Sequence, residues 1–393
     1  MSTLNIHMLY DLPVGAYHHY CALLCNALAA RGEVGQVALT AVFSERRRVD
    51  VDPEEMDLVD PKVAMVILGP GGGIKFSRYY RFFSNFVRHW LALKNDGCTL
   101  VHLHTATGLN ALDLGLLLAY KLKGIPIVRT IHELTAAERL AHPSGYELWF
   151  GRLLLRLTDA VIVHDPRNIP LVRAALGRDG TPVAAIPHGN YLVFRKYMPH
   201  GSQQEARAAN EKPVVLFLGV KRHKGIEVFL EAMRQLQAEQ FPVQGIVTGR
   251  INPGDEDLLA QIEQLANVKQ DASYVPNHDM WRIYTQADVV AMPYLKGTTS
   301  GAVHLAYAFE RPVIASDIDC FKGIVSDGET GLIVAQGDAA ALAAAIKRLC
   351  EDQNLCRRLG RAGFERVSSG EYSWEAIAQD TLKLYRQALA SEV

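Results

Sequence analysis

The chain has 393 residues, of which 49% are hydrophobic and 21% charged, enough apolar material for large cores and, on length, for two domains. Its formal net charge is -1, so it carries no overall basic field of the kind that holds nucleic acid nonspecifically, and any anion site must be local. The six cysteines form no CxxC pair and have no histidines at zinc spacing, which reads as reduced thiols in a cytosolic protein, with Cys21 and Cys25 buried one helical turn apart.

The N-terminus "MSTLNIHMLYDLP" enters strand-like sequence directly, without the charged-then-apolar order of a signal peptide. No apolar run approaches the ~20 residues of a membrane span, so a cytoplasmic chain is expected. Short apolar runs at 4–10, 36–43, 63–68, 100–104, 126–131, 160–164 and 183–187 read as strands, and stretches such as 16–31 and 107–123 carry helical spacing. That alternation predicts an α/β fold with a parallel sheet covered by helices. The "GPGGG" from Gly69 to Gly73 is no dinucleotide fingerprint and reads as a loop. It leads into 74–94, where Lys75, Arg78, Arg81 and Arg88 interleave with Tyr79, Tyr80, Phe82, Phe83, Phe86 and Trp90. A basic aromatic helix of this kind either lies in a membrane interface or packs its aromatics inward and solvates its arginines.

After Tyr191 the pattern lapses into "MPHGSQQEARAANEKP", read as a linker, and then restarts with strands at 214–218, 245–248, 289–292, 313–316 and 332–334. The expected organisation is a first domain over 1–195, a linker over 196–212 and a second domain over 213–372. In such doubly wound sheets ligands bind at the carboxyl ends of strands. Three such ends in the second domain carry suggestive chemistry: "VKRHKG" places Arg222 and Lys224 after a strand, "VTGR" places Gly249 at a turn, and "KGTTSG" puts Thr298, Thr299, Ser300 and Gly301 at the start of a helix over 301–309. Cations, a glycine turn and free helix N–H groups converge on a phosphate-bearing ligand. In the first domain "TIHEL" puts His132 and Glu133 at a strand end, suited to acid–base work on a hydroxyl. His104, His164 and His188 also end strands and read as structural.

The ordered run "LVHLHTA", "VRTIHEL", "TDAVIVHD", "AAIPHGNY", "VLFLGVKRHKGIEVFLEA", "YTQADVVAMPY", "SGAVHLAYAFERPVIASD" and "VSDGETGLIV" resembles the GT-B glycosyltransferases, within them the group-1, GT4-like family, over nearly the whole chain. The resemblance implies two Rossmann-like domains facing a cleft and a C-terminal helix, 373–390, returning to the first domain. It also implies a UDP- or GDP-linked sugar donor held by the second domain, and a lipid-linked or glycan acceptor held by the first. No cofactor, metal or nucleic acid is implied, and membrane contact would be peripheral, through 74–94 at the inner face. Carried over by position, Arg222 and Lys224 match the pair that grips the diphosphate, and Ser300 and Gly301 the phosphate-facing helix start. Gly15 matches the small residue of the first loop, and Tyr274 and Val275 the stretch whose backbone meets the base.

The chain departs from the family at the paired glutamates, whose positions hold Gly297 and Leu305, while Glu310 is out of register. It resembles in this the subgroup that includes xanthan-type mannosyltransferases, and the choice between retention and inversion stays open. A non-catalytic subunit of the same fold is the alternative that the lost glutamates suggest. An acceptor that is a soluble small molecule is another. A sugar-nucleotide 2-epimerase would need a different carboxylate and histidine set. An NAD dehydrogenase would need a GxGxxG after the first strand.

Overall fold

The structure, a computed structural model, describes residues 3–10, 16–41, 56–67, 87, 97–104, 110–132, 153–199, 212–249, 251, 254–271, 275–297 and 301–390. The chain divides into two compact units, one of residues 1–188 with 374–393 and the other of residues 189–373.

The first unit carries a seven-stranded parallel sheet. Its strands are β1 (Leu4–Tyr10), β2 (Val34–Ala41), β3 (Val63–Ile67), β4 (Leu100–Leu103), β5 (Ile127–Ile131), β6 (Ala160–Val163) and β7 (Val183–Ala185), in the order β3-β2-β1-β4-β5-β6-β7. The order reverses between β1 and β4. Every residue of β4 and β6 is buried, as expected of strands covered on both faces. Helix α1 (Ala16–Ala29) buries Tyr20, Cys21, Leu24, Cys25 and Leu28 completely, at helical spacing. Helix α2 (Trp374–Ala390) closes this unit from the far end of the chain, with Tyr385 fully buried. Strand β2 starts at Val34 rather than 36 because Val34 pairs with Leu4.

The second unit has a six-stranded parallel sheet of β8 (Val214–Leu218), β9 (Gln244–Thr248), β10 (Val268–Asp271), β11 (Val289–Met292), β12 (Val313–Ser316) and β13 (Gly331–Val334). Their order is β10-β9-β8-β11-β12-β13, reversing between β8 and β11. Strand β10 is absent from the sequence expectation. It is the edge strand "VKQD", whose lysine and aspartate point to solvent and hide the apolar signal. Helix α3 (Ile226–Ala238) buries Ile226, Phe229, Leu230, Met233 and Leu236 on one stripe against the sheet.

The division between units falls at His188/Gly189, ahead of the sequence boundary at 195. Asn190 explains this: its side-chain amide donates to the Val367 and Tyr372 carbonyls, at 2.9 and 3.2 Å, and Arg195 donates to the Ala308 carbonyl at 2.7 Å. These bonds tie the stretch after His188 to the second unit. No helix among the described residues is long and apolar enough to cross a membrane.

Candidate functional site

In the second unit, β8 ends in Leu218 and the chain turns through Gly219, at φ +79°, into the short 3-10 segment Arg222–Lys224. Gly225, at φ +77°, then starts α3. A Cβ there would stand 1.8 Å from the Pro293 carbonyl oxygen, so only glycine lets this turn press against the segment after β11. The Leu295 and Lys296 amides donate to the His223 carbonyl at 2.8 and 3.1 Å, joining the same two loops. The two strands at the reversal therefore end in one bonded unit. At the end of β9, Gly249 has φ +118°, and a Cβ would lie 3.1 Å from the Gly219 Cα.

Lys224 is folded back into this turn. Its half-buried Nζ makes one hydrogen bond among the described residues, to the Leu218 carbonyl at 3.3 Å, and stands 5.6 Å from the centre of the Tyr294 ring. Burial lowers its pKa. An ammonium has three donors, so this one is under-supplied with acceptors and would gain from an anion. Arg222 is held differently. It is exposed and donates to Asp255 at 3.1 Å, to both oxygens of Asp257 at 2.6 and 2.8 Å, and to Glu227. The hydrogen bond to Asp257 is the main cause of its raised pKa.

Gly301 opens helix α4 (Gly301–Ala308), and a Cβ on it would meet Tyr191 at 3.0 Å. Val275 lies past the end of β10, just before the 3-10 turn Asn277–Asp279. Gly297 sits against Cys320, Leu305 is partly exposed within α4, and Glu310 follows the helix at φ +57° and pairs with Arg195 at 3.4 Å. No carboxylate therefore replaces the missing glutamates on α4. Gly15, Glu133, Tyr274, Thr298, Thr299 and Ser300 lie outside the described residues, as does the segment 74–94 apart from Val87.

The first unit gathers histidines that the sequence left apart. Strands β4, β5 and β6 are parallel neighbours, and the residue directly after each is His104, His132 or His164. Adjacent strands stand about 4.8 Å apart, so side chains leaving their ends meet. The ring centres of His104 and His132 are 5.2 Å apart, and those of His132 and His164 4.8 Å. Hydrogen bonds link them: His104 Nδ1 to His132 Nε2 at 2.9 Å, His132 Nδ1 to His164 Nε2 at 2.8 Å, and His164 Nδ1 to the Ile186 carbonyl at 2.9 Å. Tyr20 of α1 packs against His104, His132, His164, His188 and Trp374 at ring-centre distances of 5.2, 4.7, 5.3, 5.1 and 5.2 Å. Burial, reinforced by the neighbouring imidazoles, holds His104 and His132 well below the ordinary histidine pKa. Burial also lowers His164 to about 4. All three are neutral at pH 7. Among the described residues no group of His, Cys, Asp or Glu side chains is arranged to hold a metal ion.

Residues 212–352 match the family Glycosyl transferases group 1, and residues 18–189 match Glycosyltransferase Family 4. A phosphatidyl-myo-inositol mannosyltransferase of Mycolicibacterium smegmatis is 30% identical over 310 residues, 76% of this chain and 73% of that one. The chain belongs to the group-1, GT4-like glycosyltransferases. The Mycobacterium leprae protein of the same description is 28% identical over 390 residues, 97% of this chain and 95% of its own. In fold, the chain is similar to sucrose-phosphate synthase from Thermosynechococcus elongatus, with a TM-score of 0.75 at 24% identity, covering 99% of this chain and 100% of that one. The two parallel sheets are those of the GT-B fold, and the chain is a hexosyltransferase that uses a nucleotide sugar.

Proposed function

We propose that this glycosyltransferase takes a hexosyl group from a UDP- or GDP-linked donor whose diphosphate rests on Lys224, and passes it to a hydroxyl of a lipid-linked or glycan acceptor. The observation that carries this is the under-supplied Lys224 ammonium at the end of β8, where the strand order reverses and doubly wound sheets bind their ligands. The acceptor oxygen bonds the anomeric carbon, the bond from that carbon to the diphosphate oxygen breaks, and the hydroxyl's proton passes to the departing diphosphate or through it to water. Lys224 and Arg222, the latter once released from its carboxylates, balance the charge of the leaving diphosphate without a metal ion. The lipid-linked acceptor draws support from the described activity of the mycobacterial relatives.

Calorimetry with UDP and GDP, followed by transfer assays with and without chelator, tests the donor side. Binding of neither nucleotide, or activity restored only by Mg²⁺ or Mn²⁺, would overturn it. On the acceptor side, 74–94 is the segment we assign to peripheral membrane contact. Anionic vesicles should sediment the protein at low salt and release it at high salt. A protein that never sediments with them would leave a soluble acceptor as the reading.

A further inference from the structure

The ammonium of Lys224 occupies a seat with a floor, a wall and one acceptor. The floor is Gly219. A Cβ there would stand 2.7 Å from Lys224 Nζ and 3.5 Å from its Cδ and Cε, so the missing side chain is what leaves the ammonium room. This floor has nowhere to retreat. The Gly219 amide donates to the Thr248 carbonyl of β9 at 2.8 Å, and a Cβ on Gly249 would lie 3.1 Å from the Gly219 Cα, so the end of β9 closes directly behind it. The wall is the Tyr294 ring, which Nζ overlies at 5.6 Å from the ring centre, inside the ~6 Å reach of a cation–π contact. The ring is buried and packs on Phe321, with ring centres 5.1 Å apart, so it keeps its place without the lysine. The acceptor is the Leu218 carbonyl at 3.3 Å.

Among the described residues no carboxylate completes the seat. The titratable groups on the segments that meet there are Arg222, His223, Glu227, Tyr294 and Lys296. The one carboxylate among them, Glu227, is bonded to Arg222, as are Asp255 and Asp257. A ring face and a single carbonyl attract a cation without neutralising it. The two cations of the turn therefore differ in what an arriving anion must displace: three carboxylates at Arg222, but a ring face and one long hydrogen bond at Lys224.

We propose that Gly219 and Tyr294 are positioning residues for the donor, the glycine making room for the Lys224 ammonium and the ring face holding it charged and unpaired until a diphosphate arrives. The identity of the anion rests on the glycosyl-transfer reading. The seat itself rests on the contacts alone.

Calorimetry on the full chain from pH 7 to about pH 10 tests this, with UDP or GDP, whichever the parent binds. The ammonium holds the nucleotide and the free amine does not, so affinity is present below the Lys224 pKa and lost above it. The two residues should move that midpoint in opposite directions. In Tyr294→Leu the burial stays while the attraction for the charged form goes, so the midpoint falls and affinity at pH 7 drops by about two- to fivefold. Tyr294→Phe keeps the ring face and should match the parent in both. In Gly219→Ala the added Cβ drives the ammonium towards water, so the midpoint rises towards that of an ordinary lysine while affinity at pH 7 drops about tenfold. In a Lys224→Ala background there is no ammonium to displace, and Gly219→Ala should cost no further affinity.

A midpoint that moves the same way in both variants would overturn the seat. So would a Tyr294→Phe as weak as Tyr294→Leu, or a full further loss from Gly219→Ala without the lysine. If Gly219→Ala does not fold, the Tyr294 pair decides by itself. A parent that binds neither nucleotide would instead remove the glycosyl-transfer reading. The seat is then decided by ¹³Cε NMR titration of Lys224, which needs no ligand and should show the same opposite shifts.

Discussion

In the second unit the strands on either side of the reversal, β8 and β11, are tied together around a cation, Lys224, that has one long hydrogen bond among the described residues. In the first unit, where the strand order reverses in the same way, the consecutive strands β4, β5 and β6 are followed by imidazoles that are neutral and bonded to one another. One site is short of negative charge and the other keeps charge out. A parallel doubly wound sheet dictates where a ligand binds, but the residue after each strand decides which ligand. A diphosphate suits the first arrangement and an uncharged polyol the second.

Acid should separate the two units most strongly. Two imidazoles of the folded first unit have pKa values far below the unfolded value near 6.5, His164 at about 4 and His102 at about 3, through burial. Below pH 6.5 the unfolded chain therefore binds more protons than the folded one. Stability from this source is fully present above about pH 6.5 and is lost as the pH falls towards 4 and then 3. For His164 alone the shift corresponds to roughly 3 kcal/mol. Hydrogen exchange followed from pH 7 to pH 4 should show β4, β5 and β6 losing protection well before β8 and β11. Equal loss in both sheets would mean that the imidazoles are not what keeps charge out.

Removing the cation tests the other half. Lys224→Met keeps the length of the side chain, and should cost about 1.5–3 kcal/mol of UDP or GDP affinity, the scale of a hydrogen bond to a charged group. Thermal stability should stay level, since among the described residues the ammonium has one long hydrogen bond to lose. The same pairing predicts that nucleotide affinity in the parent weakens as rising pH deprotonates Lys224, whose pKa is lowered by burial. Affinity that is flat in pH and unaffected in Lys224→Met would place the diphosphate elsewhere.

How far the sequence revealed these sites follows from the same contrast. Strands at 214–218, 289–292 and 313–316 were legible to the residue because each is a short β-branched and apolar run between turn residues. The edge strand β10 was not, since three of its four side chains are polar. Lys224 was legible as a cation after a strand. Its inward fold and the capture of Arg222 by carboxylates far along the chain were not, because Asp255 and Asp257 lie in a separate loop and helix. The four strand-ending histidines were each visible singly, and His132 was singled out from among them. Only the strand order β4-β5-β6-β7 makes neighbours of them, and only the hydrogen bonds show that His132 is the one whose nitrogens are both taken. The signal available in advance was the recurrence itself, an imidazole at the end of "HLH", "TIH", "VIVH" and "IPH".

A smaller effect should come from Gly249→Ala. At φ +118° an alanine is strained, and its Cβ would be 3.1 Å from the Gly219 Cα, so the turn holding Lys224 must shift. Backbone strain of this kind costs roughly 1–3 kcal/mol, and part of it should appear as weaker nucleotide binding. Calorimetry and melting on the same variant separate the two parts. Unaltered values in both would show that the Gly249 turn has no hold on the site.

The smallest effect concerns Arg222, and its sign is the informative part. Asp257 holds the guanidinium through two oxygens, with Asp255 and Glu227 on the remaining donors, and Asp257 is held below the usual carboxylate range chiefly by its hydrogen bond to Arg222. A donor diphosphate must compete with these carboxylates for the same N–H groups. Both side chains are exposed, so solvent and salt weaken the pairing and little is lost by breaking it. Asp257→Asn leaves an amide oxygen that accepts more weakly than a carboxylate, and removes a negative charge from the approach of an anion. UDP or GDP affinity should therefore rise, by about two- to fivefold at low salt, and the gain should shrink as ionic strength increases. Arg222→Ala in the Asp257→Asn background should abolish the gain. If Asp257→Asn instead weakens nucleotide binding, the carboxylate orients Arg222 for the phosphate rather than withholding it, and the second unit binds its anion through a preformed pair and not through Lys224 first.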